Sequence, residues 1–545
     1  RKGNYQRREY SLQVGVLGLQ VSLEGPFTKK YNGSYLLNYR YSTLVLLNAI
    51  GLKIVDNALV PEFQDLSFVF NFPSKKAGTF SFWGMGGLSK AGEIAMKDST
   101  QWERRSDRFE DHNSQAVGVA GLSYTYAFRN QKTYLKNVLS FSADHLAYRL
   151  DSLDQNYQNQ TAYNEQFTYY TARMHFFVNH KFNPRHILRA GIYYDHYFYS
   201  ILSKGLIYDS GQQGIFIDES GNTGMIQTYA QWKFRISDKL ELNTGFHQLL
   251  FILNKHFSVE PRIGLQWKPA LRHTLSIGAG MHSRIEPVSN YLSRMYTDSV
   301  NYVQANNNLD LTRAVHAVLG YDWTFWEQMR LKAEVYFQYL YAVPIDTTTG
   351  STDCILNLSA GAIRTPYNNE GLGRNYGLEI TVEKFFSKNY FFLLTASVFQ
   401  SEYNVRDGHW YNTRFNGNYM LNALGGYELR FGKSKQSSWG INARIIWRGG
   451  NRYTPIDTTA SIAAGREVVM TNATFNERVP DYFRMDISTH LRFNFKKWAF
   501  SLSAEVQNVV NRLNVSRYFY DPYTKEVRAA TMFGIMPVFN FKFEF

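Results

Sequence analysis

Apolar and polar residues alternate with a period of two through long runs of this chain. That is the pattern of strands whose two faces meet different environments. The C-terminus shows it most plainly, with Phe539, Phe541, Phe543 and Phe545 separated by Asn540, Lys542 and Glu544. Over 483–495, Phe483, Met485, Ile487, Leu491, Phe493 and Phe495 oppose Arg484, Asp486, Ser488, His490, Arg492 and Asn494. Next, Trp498, Phe500, Leu502, Ala504 and Val506 oppose Ser501, Ser503, Glu505 and Gln507. Leu378, Ile380 and Val382 alternate with Glu379, Thr381 and Glu383, and Ala230, Trp232, Phe234 and Ile236 with Gln231, Lys233 and Arg235. The longest runs reach about ten to thirteen residues, beyond the roughly five to six of a soluble strand. A tilted strand crossing a bilayer needs about nine to eleven.

The connections alternate too. Short turn signals fall at 73–78, 129–132, 183–185, 237–239, 268–272, 327–328, 387–389, 432–437 and 496–497. Long polar stretches fall at 89–113, 151–164, 204–223, 285–311, 342–373, 404–417, 448–480 and 511–530. With a hairpin inside 8–26 and a turn at 28–33, the chain reads as all-β: a transmembrane antiparallel β-barrel of about 22 strands. About 11 long extracellular loops and about 10 short periplasmic turns join them, so both chain ends lie on the periplasmic rim. Aromatic residues flank the short turns (Phe72, Phe128, Phe182, Trp267, Trp326, Phe386, Phe431, Trp498). Rings at one depth form a girdle at the headgroup level. A soluble propeller would show short strands and a repeat of about 40–50 residues; neither is present.

The inward residues of such a barrel are Lys233, Arg235, Lys332, Glu334, Glu379, Glu383, Arg484, Asp486, Arg492, Glu505 and Lys542. A narrow soluble barrel could not bury them. A lumen of about 22 strands is wide enough to be wet or to hold a polar plug, so these charges are expected to pair with each other or with that plug.

Composition agrees. Aromatics are 16% and charged residues only 19% of 545 residues, with a mean hydropathy of −0.36. No run of about eighteen apolar residues exists to make a spanning helix. The single Cys354 excludes an internal disulfide framework or a multi-cysteine metal site. The net charge of +14 comes from scattered residues, with no stripe for nucleic acid. The sequence opens at Arg1 without a leader, so a removed signal peptide or a longer missing segment is expected.

Catalytic motifs are absent: no G-x-S-x-G, H-E-x-x-H, Walker or EF-hand pattern occurs. No metal, cofactor or catalytic residue is assigned, and the chain is not expected to be an enzyme. His175 and His180 are five apart on one strand and face opposite ways. Recognition belongs to the long loops. Three groups there are candidates for substrate binding: His409-Trp410-Tyr411 with Arg414, Arg448 with Arg452 and Tyr453, and Tyr291 with Arg294 and Tyr296. Aromatic rings could stack on sugars, and arginines could pair with carboxylates or the anionic groups of a ferric chelate. Packing between loops and contact with lipopolysaccharide is the competing role for each.

Several stretches, in this order, carry a family likeness: RKGN at the start running into RREYSLQVGVLGLQVSLEGPF, then SYLLNYRYSTL at 34–44 and VPEFQDLSF at 60–68. GGNRYTPID at 449–457, VPDYFRMDIS at 479–488, QNVVNRLNV at 507–515 and the terminal GIMPVFNFKFEF complete the set. The chain resembles the barrel of TonB-dependent outer-membrane receptors, in particular the Bacteroidota SusC-like and related branch. The resemblance implies active uptake of a scarce nutrient, such as an oligosaccharide or siderophore, through a plug domain pulled by the TonB complex. It implies outer-membrane lipid and lipopolysaccharide around the barrel, a possible surface lipoprotein lid, and Phe545 as the signal read during barrel assembly. Residues 1–8 look like the end of a plug-to-barrel junction, with the barrel at 9–545. The plug itself is expected on a longer chain; the alternative is a plugless barrel serving as scaffold for a partner protein in a surface complex.

Overall fold

The computed structural model describes residues 2–16, 18–43, 58–102, 105–154, 156–206, 213–297, 301–358, 362–432 and 436–545. Antiparallel pairing of neighbours in sequence builds one wall. It begins with β1 (Glu9–Gly15), β2 (Leu19–Thr28), β3 (Tyr31–Tyr41), β4 (Ala58–Ser74) and β5 (Gly78–Glu93). The tallest part is β6 (Phe109–Ala127), β7 (Thr133–Leu153), β8 (Asn159–Lys181), β9 (His186–Leu206) and β10 (Gln213–Arg235). Then come β11 (Leu240–Phe251), β12 (Phe257–Ala270), β13 (His273–Arg284), β14 (Thr312–Trp326), β15 (Met329–Asp346) and β16 (Tyr367–Ser387). β17 (Tyr390–Asn404), β18 (Tyr419–Phe431), β19 (Ser437–Arg448), β20 (Tyr482–Asn494), β21 (Ala499–Gln507) and β22 (Met536–Glu544) complete it. β22 pairs with β1, from Ser11 opposite Glu544 to Gly15 opposite Asn540, so the 22-stranded sheet closes on itself. Closure leaves no edge strand, which is what allows a sheet to sit in hydrocarbon.

The alternation sorts side chains between two media. Leu122, Leu139, Phe141, Ile277 and Phe541 stand exposed on the outside, where lipid is their solvent. The polar set lines the interior. The rings beside the short turns are also exposed, from 38% at Phe431 to 67% at Trp326.

Strands run further than the polar stretches suggested. β8 and β10 are each 23 residues long, about twice a bilayer crossing. Two of the expected loops, 151–164 and 204–223, are therefore mainly strand, and the connections shrink to 154–158 and 207–212. The upper connections at 16–18 and 252–256 are short as well. Above the membrane both faces of a strand meet water, so the alternation vanishes while the backbone ladder continues.

The tall wall supports an apolar core in the upper mouth. The described residues of 285–311 and 347–366 fold inward against Phe167, Ile201, Ile217 and Phe251, with Tyr291, Leu311, Val343 and Tyr403 fully buried among them. Cys354 is part of this cluster; burial pushes its thiol up to about 12, so it stays a protonated packing group.

Candidate functional site

Two regions could handle a solute: the lumen wall and the upper mouth. On the wall, strand pairing places residues distant in sequence side by side. Arg173 on β8 grips Asp195 on β9 through two bonds, Nε at 2.5 Å and Nη2 at 2.8 Å, and Asp195 is 1% exposed. The Tyr197 hydroxyl donates to the same carboxylate at 3.3 Å. Glu260 on β12 bonds His247 Nδ1 (2.9 Å) and accepts from Arg262 (2.7 Å), Ser258 (2.9 Å) and the Ser283 amide (3.1 Å). His175 stacks on Tyr193 with ring centres 3.7 Å apart, and Arg189 lies over Phe177 at 4.9 Å. Of these groups, Arg173, Arg189, Tyr193, Asp195, His247 and Arg262 line a recess of about 760 Å³.

The inward charges named from sequence are largely satisfied by the wall itself. Lys233 pairs with Glu241 at 2.6 Å, Arg484 with Asp486 at 2.6 Å and Arg492 with Glu544 at 2.5 Å. Lys332 pairs with Glu334 at 2.5 Å, and Lys542 with Glu544 at 3.1 Å. Glu383 lies 3.9 Å from Arg330, and Glu505 accepts from Gln507 at 3.0 Å. Glu379 stands opposite Glu334, and Arg235 opposite Glu241 at the bottom of β10. Pairing across and along strands offsets most of the desolvation of these charges. His175 and His180 do face opposite ways: His180 bonds Thr133 at 2.7 Å on the other side of the sheet from Tyr193.

In the mouth, the candidate loop residues are engaged with protein. Tyr291 is fully buried and its hydroxyl accepts the Glu286 amide at 3.1 Å; its ring is part of the core. Arg294 ties its loop to the top of β10 through the Asp218 carbonyl (2.6 Å) and Glu219 (3.1 Å), and Tyr296 donates to the Ile215 carbonyl at 3.0 Å. Trp410 lies 4.1 Å under Arg374, which in turn donates to Glu402 at 2.6 Å. Arg414 donates to the Asn357 carbonyl at 3.3 Å. Arg452 makes three bonds of 3.0 Å, to Asn416, Asn476 and Asn418, and its backbone amide bonds Arg414. Tyr453 packs on Tyr518 at 5.1 Å. The structure thus brings Arg414 and Arg452 together and leaves Tyr291 and Arg294 in a separate region.

The glycines of GGNR explain that junction. A Cβ on Gly449 would sit 1.8 Å from the Gly417 carbonyl oxygen, and one on Gly450 1.8 Å from that of Val479. Only glycine lets these three loop segments cross so closely.

Sequence reasoning missed an open recess of about 500 Å³ beside this junction. Asp346, Thr348, Ser351, Glu370, Asp407 and Tyr411 line it. The Tyr411 hydroxyl donates to Asp407 at 2.5 Å. Partial burial pulls the Asp407 carboxyl up, but the bonds from Tyr411 and the His409 amide outweigh it and hold it below the usual range. The same bond, helped by burial, pushes the Tyr411 phenol up to about 12. The run Thr347–Thr349 was the available signal, but hydroxyl-rich loops are too common to single out. The lumen recess carried none, because its central contacts, Arg173 to Asp195 and His247 to Glu260, join different strands.

Comparisons with known proteins agree with this architecture. A family model described as "TonB dependent receptor-like, beta-barrel" matches residues 57–509. No curated protein matches the chain. Among solved structures, the ferric-catecholate import receptor Fiu from E. coli is 11% identical with a TM-score of 0.69, covering 100% of this chain and 82% of its own. The pyoverdine receptor FpvA from Pseudomonas aeruginosa is 12% identical (TM-score 0.69; 100% and 79% covered). The ferric preacinetobactin receptor BauA from Acinetobacter baumannii is 10% identical (TM-score 0.69; 100% and 80% covered). At such identities the likeness is one of fold. The family match covers most of the sequence, and the closed barrel places it in the outer membrane as a multi-pass protein: the chain belongs to the TonB-dependent receptor-like β-barrel family, whose members are transporters and not enzymes.

Proposed function

We propose that this barrel is the channel of an active importer, in which a plug domain gripped by the lumen wall is displaced by the TonB complex. The observation that carries the reading is the wall itself: a wide lumen lined by charges already paired with one another. Such a wall stays hydrated and stable when a plug moves or a solute passes, because few charges are stranded when either leaves. The order of the sequence motifs supports the SusC-like and related branch within the family. Residues 1–8 support the junction reading: the Asn4 amide donates to Glu24 at 2.9 Å and the Asn4 side chain donates to Glu9 at 3.0 Å, so this segment lies against the wall.

For substrate, ferric chelates and oligosaccharides are the two classes. Relatives named for ferric-catecholate and pyoverdine support the first; the hydroxyl- and carboxylate-rich mouth recess supports the second, since such groups hydrogen-bond polyols. Trp410, Tyr411, Arg414, Arg452 and Tyr453 rim the mouth on that side, with Arg294 across it. The test is uptake by whole cells of labelled ferric chelates and oligosaccharides, with and without a proton uncoupler. Accumulation that disappears on uncoupling, and on deleting this gene, supports the importer. Uptake unaffected by the uncoupler overturns it in favour of a passive pore. Absence of uptake, with a partner protein co-purifying in the lumen, overturns it in favour of a scaffold.

A further inference from the structure

Once strand direction assigns each connection to a rim, the charges sort with it. The ten connections on the rim holding both chain ends, from 29–30 to 495–498, contain 14 Lys or Arg and two acids, Asp238 and Glu327. The eleven connections on the opposite rim, from 16–18 to 508–535, contain 17 Lys or Arg and 17 Asp or Glu. Most of the +14 excess thus belongs to the short turns. Nine of the ten turns carry at least one cation, and three carry tandem lysines: Lys29–Lys30, Lys75–Lys76 and Lys496–Lys497.

These turn cations differ from those of the lumen wall. All those described are exposed, and among the described residues none forms an ion pair. The cations of the lumen wall, by contrast, are mostly ion-paired, and several of the mouth loops, such as Arg414 and Arg452, bond loop carbonyls. Their depth is set by the aromatic rings beside them. Arg129 directly follows Phe128, Lys497 directly precedes Trp498, and Lys75 follows Phe72 by three residues. A strand rises about 3.4 Å per residue, so the cations start within about 10 Å of the rings. Rings of this kind sit where acyl chains meet headgroups, and flexible lysine stems carry the ammonium on to phosphate depth.

We propose that the short-turn rim is a collar for the phosphate headgroups of anionic phospholipids in the periplasmic leaflet. A partner protein docking from one side would call for cations on one arc. Here they occupy almost every turn around the circumference, and a leaflet is the partner that surrounds a barrel. Unpaired, flexible ammonium groups also suit a fluid, exchanging anion better than a shaped pocket.

The test places the purified protein in nanodiscs of phosphatidylcholine with one-fifth phosphatidylglycerol and measures the lipids retained by native mass spectrometry. The expected result is at least a threefold enrichment of phosphatidylglycerol over its bulk share at 0.1 M salt. The enrichment falls by half or more at 0.5 M, because exposed charges are screened. Replacing Lys29, Lys30, Lys75, Lys76, Lys496 and Lys497 with Gln abolishes it, while Lys97→Gln, Lys255→Gln and Lys525→Gln on the opposite rim leave it unchanged. Retention of the heat-dependent gel shift of a folded barrel shows that each variant is intact. No enrichment in the unmodified protein, or enrichment unchanged in the six-lysine variant, overturns the proposal. So does loss of enrichment in 10 mM inorganic phosphate at constant ionic strength, which would make the collar a phosphate-ion site. Binding to purified peptidoglycan that depends on the six lysines, without lipid enrichment, would assign the rim to the cell wall.

Discussion

At the periplasmic rim, connections such as Lys29–Lys30 or Glu327–Gln328 are made by local turn chemistry, and their side chains reach out into solvent. At the upper mouth, the described residues of 285–311, 347–366 and 449–481 are held by one another and by the tall wall of β6–β10. Arg452 alone bonds Asn416 and Asn418 of the neighbouring 405–418 loop and Asn476 at the far end of its own. The lower rim is therefore a sum of independent turns, while the mouth is one interlocked body. The difference teaches where a substitution will spread: below, it stays within one hairpin; above, it loosens several loops together.

The sharpest way to break this contrast is Tyr291→Ala. Truncating a fully buried aromatic at the centre of the mouth core costs about 3–5 kcal/mol. The expected outcome is protease cleavage throughout 285–311 and 347–366 while the barrel keeps its heat-dependent gel mobility. A mouth that stays protected would show that its loops fold independently. Gly449→Ala comes next, since its new Cβ meets the Gly417 carbonyl oxygen at 1.8 Å. Overpacking of this kind costs about 1–3 kcal/mol, and hydrogen exchange should rise at 405–418 and 477–481 as well as at 449–453. A rise confined to the mutated loop would contradict the interlock.

A smaller effect concerns acidity at the Tyr411–Asp407 contact. The folded carboxyl lies below its ordinary value, so the contact is at full strength above the usual carboxylate pKa of about 4. It fades as the pH falls through the lowered folded value. Exchange of the 405–413 amides, corrected for intrinsic rates, should therefore increase below about pH 4, and Tyr411→Phe should remove that dependence. Persistence of the pH effect in the Phe variant would assign it elsewhere. The smallest expected effect is at the lower rim: exchanging Lys75 and Lys76 for Gln should shift stability in neutral detergent by no more than about 0.5 kcal/mol. A large loss of thermal stability there would mean that the turns are coupled after all.

The parts of the fold readable in advance are those governed by local rules. The alternation around Phe541, Arg492 and Trp232 places each side chain on the lipid or lumen side without knowledge of its neighbours. Tandem lysines and flanking rings mark the short turns directly. The polar stretch 204–223 misled, because a strand above the bilayer loses its alternation while keeping its ladder. The candidate site was less legible. Arg414 and Arg452 meet only because three loop segments cross at Gly417, Gly449 and Gly450, and Arg173 meets Asp195 only through the register of β8 on β9. The +14 charge looked scattered along the chain because successive turns are tens of residues apart, yet all return to one rim.

The sequence by itself determined that this chain makes a barrel, its strand number, and which face of each strand meets lipid. Hydrocarbon admits no polar face, and period-two geometry leaves a strand only one way to obey. Only the tertiary structure decided which charges pair, which loops fold into the mouth and which rim gathers the cations. Those outcomes depend on register and on loops meeting across the lumen, where no single stretch of sequence carries the information.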